Sequence, residues 1–260
     1  IIAVSNIQRN LATPVAIVVP CANPTVEPEV HALLPSNFFP YVARLPFYDQ
    51  LDLKQRLAQY VPDLTQTIQT LSGLKPAGVL VACTGSSYPL GISGDQAWTK
   101  QATAQLQAPV VSAAGAVAQV LTKLQPKEIY LISPYPSWLT QEVTQFWSDA
   151  GYVIKKVVEL DKSGQIYDLT AADIAVAVHT ALTEIAQQPD IVILIAGTGV
   201  PSLSAADAVA PTTAVPIITS QLAGIWSLLT TIGAAYDIQN SNSAALRKLD
   251  NQISLKVTQK

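Results

Sequence analysis

Short apolar runs alternating with longer amphipathic stretches constrain this chain more than any other feature. Val15 to Val19, Gly78 to Ala82, Pro109 to Val111, Glu128 to Ile132, Tyr152 to Val158, Ile191 to Ala196 and Val215 to Thr219 are brief and mostly rich in Val and Ile. Runs of that length and composition read as buried strands. Between them, Leu51 to Leu71, Gln96 to Leu106, Ala116 to Leu124, Ser137 to Ala150 and Ala172 to Gln187 carry helical spacing and good helix formers, and Gly151 is placed to stop the fourth of these. This alternation predicts βα units around mostly parallel sheets, an α/β fold. With 49% hydrophobic and 13% charged residues in a chain of 260, there is enough apolar surface to bury such sheets, as one large domain or two small ones. Pro35 to Pro46 reads as an irregular surface connection.

The same composition excludes several function classes. No apolar run approaches the ~18 residues of a membrane helix, because Asp, Glu, Lys, Gln or Pro interrupts each one, so no membrane span is expected. The 15 Lys and Arg residues are scattered in a chain of net charge -3, whereas nucleic acid demands a concentrated cationic face, so no nucleic-acid partner is expected. Cys21 and Cys83 are too few for a disulfide framework and lack the paired spacing of a zinc site, while His31 and His179 stand alone. No metal is therefore expected, and the thiols are expected to be reduced, in a cytoplasm. The sequence opens on Ile1-Ile2 and holds no Met, which points to a trimmed or renumbered start, and it shows no signal-peptide pattern.

In a parallel α/β sheet ligands settle beyond the carboxyl ends of the strands, so the residues just after each apolar run carry the information. Four junctions stand out: Pro20-Cys21-Ala22-Asn23, Cys83-Thr84-Gly85-Ser86-Ser87, Ser133-Pro134-Tyr135 and Gly197-Thr198-Gly199. All four are expected to open onto one cleft. The second is a small, hydroxyl-rich turn leading towards a helix, which offers N–H groups to a carboxylate and would favour the thiolate of Cys83. A lone cysteine beside an apolar strand equally reads as a small core residue. Gly197-Thr198-Gly199 lacks the third glycine and the acidic residue of a dinucleotide fingerprint, and no phosphate loop ending in Gly-Lys-Ser/Thr is present.

The stretch Val19-Pro20-Cys21-Ala22-Asn23-Pro24-Thr25-Val26-Glu27-Pro28-Glu29, followed by Leu33-Leu34-Pro35, resembles the opening of maleate isomerases and their relatives. Ala82-Cys83-Thr84-Gly85-Ser86-Ser87 is similar to their first cysteine motif, Ser133-Pro134-Tyr135-Pro136 to their central tyrosine motif, and Val215 to Gln221 with Ile225-Trp226 to their closing motif. On these residues, from about Val15 to Gly233, the chain is identified as a member of the aspartate/glutamate racemase superfamily, on its maleate isomerase and arylmalonate decarboxylase branch. The resemblance implies two pseudosymmetric Rossmann-like halves with the active site between them, 1–112 plus 219–260 forming the first and 113–218 the second. It implies no cofactor, a small dicarboxylate substrate, and Cys83 as the catalytic thiol. It leaves the oligomeric state open, a homodimer included.

The resemblance also assigns supporting roles. Asn23 would hydrogen-bond a substrate carboxylate, Thr84 and Ser86 would line the first carboxylate pocket, Tyr135 would donate its phenolic hydrogen, and Thr198 would serve the second half. Each has a plainer reading: Asn23 and Thr25 as a turn, Tyr135 as a strand cap, Thr198 as a partner for loop backbone. Three departures stand out. Gly197 falls where relatives carry a second cysteine, so symmetric two-thiol racemisation is not expected; Ser163 is the nearest counterpart of an expected asparagine; and Ser220-Gln221-Leu222 shortens the familiar Ser-Asn-Gln. Cys21 could face the same cleft or serve only as a small spacer.

Three functions of different classes fit: an isomerase of a cis-enedioic acid with Cys83 as nucleophile, a decarboxylase of substituted malonates with Cys83 as proton donor on the opposite face from the known enzyme, and a carboxylate-binding protein without catalysis. The isomerase reading leads, because the retained thiol stands at the nucleophile's position.

Overall fold

The structure is a computed structural model that describes residues 12–160, 165–185 and 190–258. Ser163 and the last two residues of the helix expected to reach Gln187 lie outside the described residues. Strands β1 (Thr13–Val19), β2 (Phe38–Arg44), β3 (Val79–Val81) and β4 (Val110–Ser112) form one sheet in the order β2-β1-β3-β4. Strands β5 (Glu128–Ser133), β6 (Val153–Glu159), β7 (Ile191–Ile195) and β8 (Ile217–Thr219) form a second in the order β6-β5-β7-β8. Every pairing is parallel. In each sheet the chain starts inside, moves to one edge, then crosses back to the other side of its first strand. The two sheets therefore share one topology, and each has a switch point between its first and third strands, where ligands bind in folds of this kind.

The inner strands read as they fold. Val15 through Val19 are fully buried, and Ile191 through Ile195 are nearly so, as strands covered on both faces must be. The stretch expected to be an irregular connection is instead β2, running parallel to β1 from Thr13↔Phe38 to Val19↔Arg44. Pro40 hid it. A proline cannot donate to a ladder, but β2 is an edge strand with only one neighbour, where that loss is tolerated. Phe39 and Tyr41 accordingly face solvent while Phe38 is buried.

The helices are α1 (Val26–Leu33), α2 (Leu53–Gln69), α3 (Gly91–Leu106), α4 (Ala113–Leu124), α5 (Ser137–Asp149), α6 (Ala171–Ile185), α7 (Leu203–Val209), α8 (Ser220–Thr231) and α9 (Ala244–Thr258). Helix α2 starts at a capping box, with the Asp52 carboxylate accepting from Gln55 N at 2.8 Å and the Gln55 side chain accepting from Asp52 N at 3.1 Å. Its buried face carries Leu57, Tyr60, Leu64 and Ile68, and Pro62 sits on the opposite, exposed side. Helix α5 ends just before Gly151, whose φ of +88° is the left-handed turn expected of a stop at that position. Helix α8 is buried on every side from Ser220 to Leu229, and Gly224 lets it approach β3 so closely that a Cβ there would lie 2.9 Å from Leu80 Cδ2. Among the described residues no helix is long and apolar enough to cross a membrane.

Helix α1 and helix α7 meet across the two halves through a buried carboxylate. Glu29 Oε1 accepts from Leu203 N at 2.8 Å, while its Oε2 has no hydrogen-bond partner among the described residues. Burial pushes the Glu29 carboxyl up to about 7, with Asp207 adding to the push and the N–H groups of Leu203 and Ser202 opposing it. Below its ordinary value of 4.5, folded and unfolded chains both hold the proton. Between 4.5 and about 7 only the folded chain holds it, so stability falls as pH rises through that window. Glu29→Gln removes this loss. In urea unfolding the variant is expected to match the parent closely at about pH 4 and to exceed it at about pH 8, by at most about 3 kcal/mol. An equal difference at both pH values would contradict this account.

Candidate active site

A cavity of about 270 Å³ opens at the carboxyl ends of β1 and β3 in one sheet and of β5 and β7 in the other, so it sits at both switch points at once. The four junctions singled out in the sequence converge there: Cys21 and Asn23, Cys83 and Thr84, Tyr135, and Thr198 all line it. Ser86 and Gly197 lie behind this lining, not in it. His31, in α1, and His179, in α6, are exposed and away from the cavity.

Cys83 stands two residues beyond β3, and only 3% of it is exposed. The turn after it closes with Ser87 N donating to Thr84 O at 3.0 Å, and the Ser86 hydroxyl donates to Cys83 O at 3.0 Å. Gly85 is required by Leu57 of α2, which would lie 2.9 Å from a Cβ at that position. Below the turn, Ser112 Oγ donates to the buried Asp95 carboxylate at 2.5 Å and accepts from Gly115 N at 2.9 Å. Burial raises Asp95, while hydrogen bonds from Ser112 and Ser87 lower it, so this carboxyl ties the Cys83 turn to the start of α4.

The expectation that the turn would favour a thiolate is corrected by burial. Removal from water pushes the Cys83 thiol up, and the Ser86 hydroxyl and the N–H groups of Ser86 and Gly85 offset this only in part. The Ser86 hydroxyl, held on the Cys83 carbonyl, lies outside the cavity lining. The resting sulfur keeps its proton.

Hydroxyl and amide donors face Cys83. Thr84 Oγ1 and Tyr135 OH lie 2.8 Å apart across the two halves, and Tyr88 OH lies 3.4 Å from Tyr135 OH. Burial, reinforced by Tyr88, pushes the Tyr135 phenol far up, so it stays neutral and able to donate. Asn23 Oδ1 accepts from Thr25 N at 2.9 Å and Val26 N at 3.1 Å, the turn foreseen as its plainer role. Its Nδ2 also donates to Thr198 Oγ1 at 3.3 Å, one of the two hydrogens that this amide of the cavity lining carries. Thr198 O accepts from Gln221 Nε2 at 2.8 Å, so the glutamine of the shortened closing motif braces the opposite wall.

A model of the arylmalonate decarboxylase family matches residues 15–245. The chain belongs to that family. It is 25% identical over 233 residues to a maleate isomerase of Pseudomonas putida, a match covering 82% of this chain and 88% of the relative. Its fold superposes with a TM-score of 0.77 on a cysteine-to-serine mutant of Nocardia farcinica maleate cis-trans isomerase with a covalently bound succinylcysteine intermediate, at 21% identity and covering 92% of this chain and 98% of that one. A crystal structure of arylmalonate decarboxylase superposes with a TM-score of 0.68 at 18% identity, covering 85% of this chain and 92% of that one.

Within this arylmalonate decarboxylase family member, Gly197 is held by its own backbone and neighbours. Its φ is +89°, and a Cβ would meet Pro134 Cγ at 3.0 Å, Tyr135 OH at 3.2 Å and Ile166 Cδ1 at 3.3 Å. The backbone is in a region side chains avoid, and Tyr135 and Ile166 occupy the space a side chain would need. Cys21 does line the cavity, but its sulfur is engaged 3.3 Å from Tyr60 OH. The sequence reading passed over Tyr60 and Arg56 on α2, and Tyr167, whose ring closes over Gly199. The available signal was the spacing Leu53, Arg56, Leu57, Tyr60, one helical face with a charge inside an apolar stripe. Gly197→Ala is expected to lower stability by about 1 kcal/mol or more, read as a lower urea midpoint with unchanged slope. An unchanged midpoint would show that this loop is not strained by a side chain.

Proposed function

We propose that this protein is a cofactor-independent cis-trans isomerase of a small cis-enedioic acid such as maleate, with Cys83 as its nucleophile. The observation that carries the reading is the asymmetry of the cavity: a buried thiol on one wall, Gly197 behind the other, and hydroxyl and amide donors between them. Cys83 gives its proton to solvent, its sulfur bonds to one alkene carbon while the π electrons move onto the neighbouring carbon and its carboxylate, and a proton taken up on that neighbour gives a succinyl thioether. Rotation about the new single bond, followed by loss of the same proton and of the C–S bond, releases the trans acid and restores the thiol. Asn23, Thr84, Tyr135 and Thr198 supply the donors that bind carboxylate and take up the charge building on it during addition. Ser86 and Gly197 act one layer back, on the thiol and on the loop. The succinylcysteine in the Nocardia farcinica enzyme supports this chemistry, and so does the likeness to the Pseudomonas putida isomerase.

A second reading is favoured by one feature. Leu53, Leu57, Leu139 and Ile166 give the cavity an apolar side, which suits the substituent of an arylmalonate. There carbon dioxide would leave, the donors would hold the enediolate, and Cys83 would deliver the proton. Proton NMR in deuterated water separates the two. Conversion of maleate to fumarate, lost in Cys83→Ala, is the expected result; phenylmalonate giving deuterated phenylacetate would establish the decarboxylase instead. Saturable binding without either conversion would indicate a carboxylate-binding protein, and turnover surviving in Cys83→Ala would overturn the role of the thiol.

The buried thiol also fixes a pH dependence. Because Cys83 is held above the ordinary cysteine value, the nucleophilic form grows with pH well into the alkaline range. kcat/KM for isomerisation is expected to rise with pH and not to level off below about pH 8.5. A plateau at neutral pH would mean that the thiolate is stabilised more strongly than its surroundings indicate.

A further inference from the structure

Arg56 is a charge set into the apolar face of α2. It stands on the face of α2 turned to the cavity, one turn from Leu53 on one side and Tyr60 on the other, at a position where the helical period calls for an apolar residue. Among the described residues lining the cavity it is the one cation, and no Asp or Glu joins it there. Its Nε is buried and finds no hydrogen-bond partner among the described residues. Among the described residues no carboxylate pairs with it, although Arg44 and several lysines elsewhere do have such partners. Arg56 is half-buried, and a guanidinium partly withdrawn from water without a counter-charge carries a cost that a ligand carboxylate can offset. Its charge is felt inside the cavity, where it opposes the upward push that burial gives the phenols of Tyr60 and Tyr167.

The donors at the strand ends form two linked pairs, Asn23 with Thr198 and Thr84 with Tyr135, and all four are neutral. They leave the second carboxylate of a dicarboxylic acid without a charged partner. We propose that Arg56 receives this second carboxylate and so sets the cavity's preference for doubly charged acids. Arg is suited to the task because its planar fork of N–H groups matches both oxygens of a carboxylate. The inference rests on the dicarboxylate reading above, and it deepens that reading by naming the group that tells a dicarboxylate from an uncharged molecule of the same shape.

The test uses the Cys83→Ala chain, in which binding is measured without turnover, and isothermal titration with maleate and with its uncharged dimethyl ester. Adding Arg56→Gln is expected to weaken maleate by about 10- to 100-fold, the usual effect of losing a hydrogen bond to a charged group, and to change the ester by less than about 2-fold. Arg56→Lys, which keeps the charge but not the fork, is expected to fall between. Equal losses for both ligands would make Arg56 a structural residue, and unchanged maleate affinity would remove it from the site; either result overturns the proposal. If maleate binds in an Arg56-dependent way but the intact chain does not isomerise it, only the isomerase reading falls. If maleate fails to bind the Cys83→Ala chain at all, both fall.

Discussion

The side chain of Asn23 fastens the two halves of the molecule to each other at the floor of the cleft. Its carbonyl oxygen takes the N–H groups of Thr25 and Val26 and so starts α1, and its amide nitrogen reaches Thr198 in the other half. Thr25 Oγ1 donates to Gly199 O at 2.9 Å alongside it, and Gln221 holds Thr198 O from beneath. Buried polar groups of this kind must be paired, so the bonds fix the spacing of the two walls as well as satisfying the atoms. Everything argued about the cavity depends on that spacing: Thr84 meeting Tyr135, Gly197 lying behind the tyrosine, and Cys83 facing donors from the opposite half.

Burial then decides the electrostatics. It keeps the Cys83 thiol and the Tyr135 phenol protonated, and it surrounds both with groups that hydrogen-bond but carry no charge. Such a cavity presents neutral donors and one guanidinium, Arg56, to a ligand, beside a thiol that burial holds above its ordinary value. Positioning therefore carries much of the work, since the small ionised fraction of such a thiol reacts efficiently only when its partner atom is held against it. The same dry surroundings make each donor count for more once a carboxylate arrives.

Much of this was legible in the residues and some was not, for physical reasons. Inner parallel strands are apolar on both faces, so Val15–Val19 and Ile191–Ile195 announce themselves, and the turns that follow them mark the cleft. β2 was missed because Pro40 reads as a breaker unless the strand is known to lie at an edge, which is a tertiary fact. Helix α8 lacks an amphipathic stripe because it is buried all round, and a helix of that kind has no period to detect. The family resemblance supplied Tyr135 and Asn23, whose roles no local pattern states. The turn's N–H groups, which lower the Cys83 thiol, are visible in sequence, while the burial that outweighs them is not. Arg56 was in plain sight on an apolar helical face, but a lone charge at such a position takes on meaning only when the cavity in front of it is seen.

The central claim is that Cys83 forms a carbon–sulfur bond with a cis-enedioic acid. Brief exposure of the intact chain to maleate, acid quench and mass spectrometry of the resulting peptides tests it most directly. The account predicts a mass increase equal to one maleic acid, located on the peptide containing Cys83 and absent from the one containing Cys21. Turnover of maleate with no adduct on Cys83, or with the adduct on Cys21, would contradict it.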